Sequence, residues 1–288
     1  MPLITVEMKV QTLLGPEIFK ILNLILMKLK KFKPTSPGVR HRLSLYKNLL
    51  GKNSHLSKSL VLPLQRAFGR STSNGRITSW HRGGGAKRKF RVFKGKNFFG
   101  GFVVISIFYD PNRSSYVVLV FDIVSKTFEF NISPSRVSPG SCFIYADNLD
   151  ERNLGSRASL NSIPPGSIIH NVGIKDSRLG LFGRSAGTSC RIIQKGSDTV
   201  KLKLPSGKLV DVPSNFFATL GSVGNLEHRF MVPGKAGYAR LRGRRPIVRG
   251  IAMNPVDHPH GGRTNGGRPS VTPWGKPTKG KPTVKNKN

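Results

Sequence analysis

Gly101-Phe-Val-Val-Ile-Ser-Ile-Phe-Tyr109, Asp110-Pro-Asn-Arg113 and Ser115-Tyr-Val-Val-Leu-Val-Phe121 form the stretch whose reading decides the fold. Two β-branched, aromatic runs flank a segment of turn chemistry, which predicts a strand, a tight turn and a returning strand. A further turn around Ser125-Lys126 leads into Thr127-Phe-Glu-Phe-Asn-Ile132, where apolar and polar residues alternate. Short strands with tight turns and no helices between them predict a small antiparallel barrel, whose closure removes aggregation-prone edges.

Outward from this block, Val137-Ser-Pro-Gly-Ser141 changes the texture of the chain and marks a boundary. Beyond it, Asn153–Pro165 reads as loop and Gly166-Ser-Ile-Ile-His-Asn-Val172 as strand. Leu179–Gly187 is glycine-rich, and Ser189–Gln194 follows it. Thr199–Leu204, the turn Pro205-Ser-Gly-Lys208 and Leu209–Val212 alternate as a hairpin does. These predict a second small barrel, with His170 a structural histidine in its strand. Cys142 and Cys190 stand in no metal-ligand spacing and are expected to be buried free thiols in a reducing compartment.

The flanks differ in kind. Ile18–Leu29 contains Lys20 and Lys28 and is well short of the roughly 20 apolar residues of a membrane span; it reads as a short amphipathic helix. Residues 28–73 are basic and irregular, an arm expected to lie along a partner, with Leu60, Val61, Leu62 and Leu64 available to cover a neighbouring surface. Gly75-Arg-Ile-Thr-Ser-Trp-His-Arg-Gly-Gly-Gly-Ala-Lys-Arg-Lys-Phe-Arg91 surrounds three glycines with cations. It lacks the spacing of a nucleotide-binding P-loop and suits a phosphate backbone. Past Arg229 the only acid is Asp257, and a fully extended tail of that length reaches roughly 200 Å. Within it, Gly250-Ile-Ala-Met-Asn-Pro-Val-Asp-His-Pro-His-Gly-Gly-Arg263 has too much proline and glycine for an unbroken helix or a strand.

Charge supplies the partner class. The chain of 288 residues has 48 Lys+Arg against 13 Asp+Glu, a formal charge of +35. Such an excess repels itself and points to a polyanion, nucleic acid before an anionic membrane. Trp80, Trp274 and Tyr238 are candidates to stack on unpaired bases, or else to pack within the protein.

Gly75–Arg91, Tyr109–Arg113, Ile168–Val172, Gly183–Thr188, Ala218–His228, Ala252–Gly262 and Val271–Lys281 together resemble the ribosomal protein L2 (uL2) family, colinearly over roughly residues 33–283. The resemblance is to the bacterial type, as found in bacteria and organelles. It implies an all-β fold, an OB-fold barrel at 73–140 and an SH3-like barrel at 141–230. Long irregular basic extensions flank them at 1–72 and 231–288. It implies binding to large-subunit rRNA, a place near the peptidyl transferase centre, and a role in assembling that centre and in subunit association. The cations expected on rRNA are Arg76, Arg82, Lys87, Arg88, Lys89, Arg91, Arg184, Arg240, Arg242, Arg244, Arg245, Arg249, Arg263, Arg268, Lys276 and Lys279, together with Trp274. Asn254, Asp257, His258, His260, Gly261 and Gly262 are the family element nearest the centre.

The implied partners are rRNA, neighbouring ribosomal proteins and the small subunit, with no membrane and no small-molecule substrate. No cofactor is implied, structural Mg2+ being held mainly by the rRNA. Ala86 replaces the histidine that commonly follows the family's glycine triplet. The finish soon after Lys281 and the apolar start lean toward an organellar ribosome, mitochondrial before plastid, with the bacterial cytoplasm as a further alternative. Two rivals stand beside this reading. Asp257 beside His258 invites acyl-transfer catalysis, but no nucleophile is spaced to complete a triad. A DNA-compacting protein would carry a similar charge.

Overall fold

Strand pairing follows the β-branched runs, because residues stiff at χ1 pack well on a pleated surface. The computed structural model describes residues 29–46, 50–51, 55–64, 69–93, 99–146, 154–174, 180–263 and 268–280. The amphipathic helix expected over Ile18–Leu29 lies outside these residues apart from Leu29 itself. The chain divides into two compact units, residues 1–65 with 87–236, and residues 66–86 with 237–288.

The first unit holds all fourteen strands found among the described residues. In its basic arm, β1 (Leu29–Lys31) pairs antiparallel with β2 (Leu43–Leu45), and a 3-10 turn over His55–Leu60 precedes β3 (Val61–Pro63), which pairs with β4 (Lys89–Arg91). The arm is therefore less irregular than its sequence suggests; strands of three residues are too short to set a visible period.

The strands β5 (Gly100–Phe108), β6 (Val117–Asp122), β7 (Thr127–Ile132) and β8 (Cys142–Tyr145) match the opening stretch and its continuation. β9 (Arg157–Ser159), β10 (Ile168–Gly173), β11 (Cys190–Lys195), β12 (Thr199–Lys203), β13 (Leu209–Pro213) and β14 (Phe217–Leu220) complete the main sheet. Its order is β13-β12-β11-β10-β14-β9-β8-β5-β6-β7, antiparallel throughout except for the single parallel pair Tyr145↔Arg157. No helix among the described residues is long and apolar enough to cross a membrane.

Two cores lie under the β5–β8 group. One contains Phe102, Val104, Val118, Val120 and Phe143, and the other Phe108, Val117, Leu119 and Phe130, with Leu60 and Val61 of the arm packed on the latter. A separate core under β9–β14 is built from Leu160, Ile169, Val172, Ile192, Val200 and Leu202.

Two expectations need correction. Cys142 is exposed, because the alternation of β8 turns Phe143 and Tyr145 inward and leaves Cys142 and Ile144 outside. Asn153–Pro165 is not all loop, since β9 pairs Arg157–Ser159 with Phe217–Thr219, a strand too short and polar to announce itself.

Asp110 ties the turn between β5 and β6 to β4. Its fully buried carboxylate accepts hydrogen bonds from Arg113 Nε at 2.6 Å, Arg91 Nη1 at 3.3 Å and the Asn112 amide at 3.0 Å. Arg91 is itself buried and lies over the Phe130 ring. Asp110→Ala strands a buried guanidinium and is expected to cost about 3 kcal/mol in urea unfolding. Adding Arg91→Met should restore part of that loss.

His170 in β10 is fully buried, with Nδ1 2.9 Å from the Gly221 carbonyl, so Nδ1 donates. Burial pushes its pKa down to about 4, against the opposing effect of hydrogen bonds to the Gly221 and Thr219 backbones. Below pH 6.5 the unfolded chain takes up a proton that the folded chain refuses until about pH 4. Stability contributed by neutral His170 is thus full above pH 6.5 and falls as pH drops through that window, by about 3 kcal/mol. Urea midpoints at pH 7 and 4.5 should converge in His170→Gln relative to the unsubstituted chain.

Candidate nucleic-acid interface

Among the described residues the second unit has hardly any hydrophobic core, and backbone hydrogen bonds hold it instead. Residues 81–86 run beside 241–245: the Gly83 amide donates to Gly243 O (3.1 Å), Ala86 to Leu241 O (3.0 Å) and Arg245 to His81 O (2.9 Å). A Cβ on Gly85 would sit 2.9 Å from the Gly243 nitrogen, so only glycine permits this approach. Ala86 contributes through its backbone. His81 has a left-handed φ of 57°, held by Nδ1 donating to Pro246 O at 3.1 Å.

This pairing puts Arg82 directly opposite Arg244 in an antiparallel bridge. Like charges in that position destabilise the pair. Both side chains are exposed, and the only acid in the unit is Asp257.

Ahead of that pairing, α1 (Ala236–Leu241) shows that the tail is not uniformly extended. It fully buries no residue, and a six-residue helix is marginal in water by itself.

Residues 249–262 form a self-bonded loop opening with a 3-10 turn over Gly250–Ala252. Asn254 O accepts the amides of Asp257 and His258, His258 O accepts that of Gly261, and Met253 O that of Gly262. His258 is buried within it, and its Nδ1 accepts the His260 amide at 3.0 Å. His260 Nε2 in turn donates to Pro269 O at 2.8 Å, and Arg268 donates to Pro259 O. A Cβ on Gly250 would fall 2.5 Å from the His258 ring, and one on Gly261 2.3 Å from Asn254 O.

Asn254, Pro255, Val256 and Asp257 are left exposed at the tip, Val256 to 90%. His258 does not stand at the tip: its ring holds the loop together from inside. With Nδ1 occupied as an acceptor and Asp257 turned to solvent, no hydrogen bond joins Asp257 to His258 to form the dyad that acyl transfer would need.

Residues 270–278 close a second loop. Thr278 N donates to Ser270 O and Thr272 N to Lys276 O, leaving Trp274 exposed near the turn. Trp274 meets Trp80 edge-on at 6.0 Å.

The expected RNA-facing residues divide as follows. Arg76, Arg82, Arg240, Arg242, Arg244, Arg245, Arg249, Arg263, Arg268, Lys276 and Lys279 are exposed in the second unit. Lys87, Lys89 and Arg184 are exposed in the first unit and Arg88 is half-buried there. Arg91 departs from the set: β4 turns it inward, where it shares the Asp110 carboxylate with Arg113. Arg70 was missed although it closes the same basic segment; its Nη1 donates to Gly75 O at 2.8 Å. No group of three or more His, Cys, Asp or Glu side chains that could hold a metal occurs among the described residues.

The architecture is that of a β-rich, strongly basic nucleic-acid-binding protein with irregular extensions. Residues 57–145 match the RNA-binding N-terminal domain of ribosomal proteins L2, and 153–275 match the L2 C-terminal domain. The chain is 43% identical to the large ribosomal subunit protein uL2m of Reclinomonas americana, over 89% of this chain and 94% of that protein. It is 45% identical to uL2 of Phenylobacterium zucineum, over 91% and 94%, and 42% identical to uL2 of Rickettsia rickettsii, over 91% and 96%. The chain belongs to the ribosomal protein L2 family. Its two strand groups, β3–β8 and β9–β14, fit the OB and SH3-like barrels of those domains.

The loop geometry has a direct consequence. Gly250→Ala and Gly261→Ala are each expected to open the 249–262 loop, read as faster amide exchange at His258 and Gly261 with the β5–β8 core unchanged. His258→Ala should do the same more weakly, by removing the ring that the loop closes on.

Proposed function

We propose that this chain is a structural constituent of the large ribosomal subunit that binds its rRNA through the second unit and the exposed cations beside β4. The observation that carries this reading is Arg82 set opposite Arg244 with no acid to separate them. That arrangement is stable when phosphates lie between or over the two guanidiniums, and each neutralised phosphate releases counterions. In this reading the neighbours are other ribosomal proteins and, across a bridge, the small subunit.

The 249–262 loop is the element we assign to the peptidyl transferase centre, with Asn254 and Asp257 facing RNA and His258, His260, Gly261 and Gly262 fixing their position. The chain performs no chemistry itself; it buttresses a site made of RNA. Likeness to the uL2m of Reclinomonas americana supports a mitochondrial ribosome, with bacterial relatives at comparable identity keeping a plastid or bacterial one as the alternative. The functional divisions we assign are an arm at 1–72, barrels at 73–140 and 141–230, and a tail at 231–288.

Binding of the full chain to a large-subunit rRNA fragment should weaken steeply with salt. Roughly six to ten phosphate contacts would lower affinity about 10³–10⁵-fold between 50 and 200 mM. Arg82→Ala with Arg244→Ala should reduce the log–log slope by about 2. Equal or stronger binding to duplex DNA at moderate salt would favour the DNA-compacting rival. In reconstituted subunits, His258→Ala should leave rRNA association intact and depress peptide-bond formation. Normal peptide-bond formation there would remove the loop from the centre.

A further inference from the structure

A cleft of about 610 Å³ lies within the second unit, and its walls do not resemble a plain phosphate track. Arg70, Arg82 and Arg245 line it together with the apolar side chains of Ile77 and Val248 and the ring of Trp80. The backbones of Gly83 and Gly84 complete it without side chains. No acid lines it, which disfavours a cationic ligand. Its volume lies in the range of small-molecule sites, roughly 300–1,000 Å³.

The mixed lining selects among anions. A duplex offers phosphates but hides its base faces in the stack, so it has no use for Trp80, Ile77 and Val248. An unpaired nucleotide offers both a π-face and phosphates. Trp80 is half exposed, and neither ring neighbour, Trp274 at 73° nor His81 at 47°, stacks parallel on it. Arg70 is anchored by its bond to Gly75 O, and His81 by its bond to Pro246 O, so two of the supporting side chains are already ordered.

We propose that this cleft takes one unpaired nucleotide of the RNA, its base stacked on Trp80 over Ile77 and Val248 and its flanking phosphates on Arg82 and Arg245. The inference rests on the RNA-binding reading above and adds that the second unit selects a bulged or looped nucleotide over continuous helix.

The test compares an RNA hairpin carrying a single 2-aminopurine bulge with the same hairpin fully paired, using the full chain at fixed salt. The bulged hairpin should bind more tightly, and its 2-aminopurine fluorescence should be quenched on binding. Trp80→Ala should weaken the bulged hairpin by roughly 5- to 100-fold, abolish the quenching, and leave the paired hairpin within about twofold. Trp80→Phe should retain most of the preference, and the quenching in the unsubstituted chain stands whether or not Trp80→Ala folds. Equal loss on both hairpins, or no preference and no quenching, overturns the proposal while leaving general RNA binding intact. Displacement of the bulge by micromolar free AMP would overturn it in favour of a mononucleotide site. Failure to bind either hairpin would overturn the RNA-binding reading as well.

Discussion

Unmatched positive charge is the constraint on which the rest of this molecule depends. The chain carries 13 acids against 48 Lys and Arg, and three of those acids, Asp110, Asp122 and Glu129, are buried inside the first unit. Asp110 is consumed by Arg91 and Arg113, and Asp122 caps a turn through Val124 N and Ser125 Oγ. Acids spent on the interior cannot screen the surface. Arg91 and Arg157 are buried with them, so nearly the whole cationic excess stays outside, and the Arg82–Arg244 bridge is where this excess is built into the backbone pairing itself.

The two units meet that constraint by different means. The first buries phenylalanine, valine and isoleucine under paired strands and gains stability from area removed from water. The second has few buried side chains, and its shape rests on amide–carbonyl bonds and on glycines at contacts too close for a Cβ. Net stabilisation per hydrogen bond is only about 1 kcal/mol in water, so such a unit gains much from binding a partner that orders it. Ile247, Ile251, Val256 and Trp274 are exposed beside its guanidiniums.

How much of this was legible in the sequence follows from the same division. β5, β6, β7, β12 and β13 were visible because β-branched runs and alternation are local signals. β9 was not, since Arg157-Ala-Ser159 is defined mainly by its pairing with Phe217–Thr219 some sixty residues away, with a single parallel partner in Tyr145. Arg91 looked like one more member of a cationic run, but strand alternation inverts every second side chain, and the acid that receives it comes later in the chain. The second unit was the least legible. Its closure joins residues 81–86 to 241–245 by backbone bonds, which leave no side-chain period to read. The glycines of both segments were visible, but not that Gly85 and Gly243 press against each other.

His258 shows what that limit means for function. Read as a residue type beside Asp257, it suggests a general base or a polar contact. Its burial, the amide it accepts from His260 and its contact with Gly250 make it a wedge that sets where Asn254–Asp257 can stand. A wedge and a contact residue respond differently to substitution. A contact residue loses one interaction, whereas a wedge displaces every group it positions. The effect of removing His258 should therefore reach Asn254 and Asp257 as well as the amides on which the loop closes. This also explains why the loop needs glycine at both Gly250 and Gly261: the ring and the Asn254 carbonyl occupy the space that any side chain there would require.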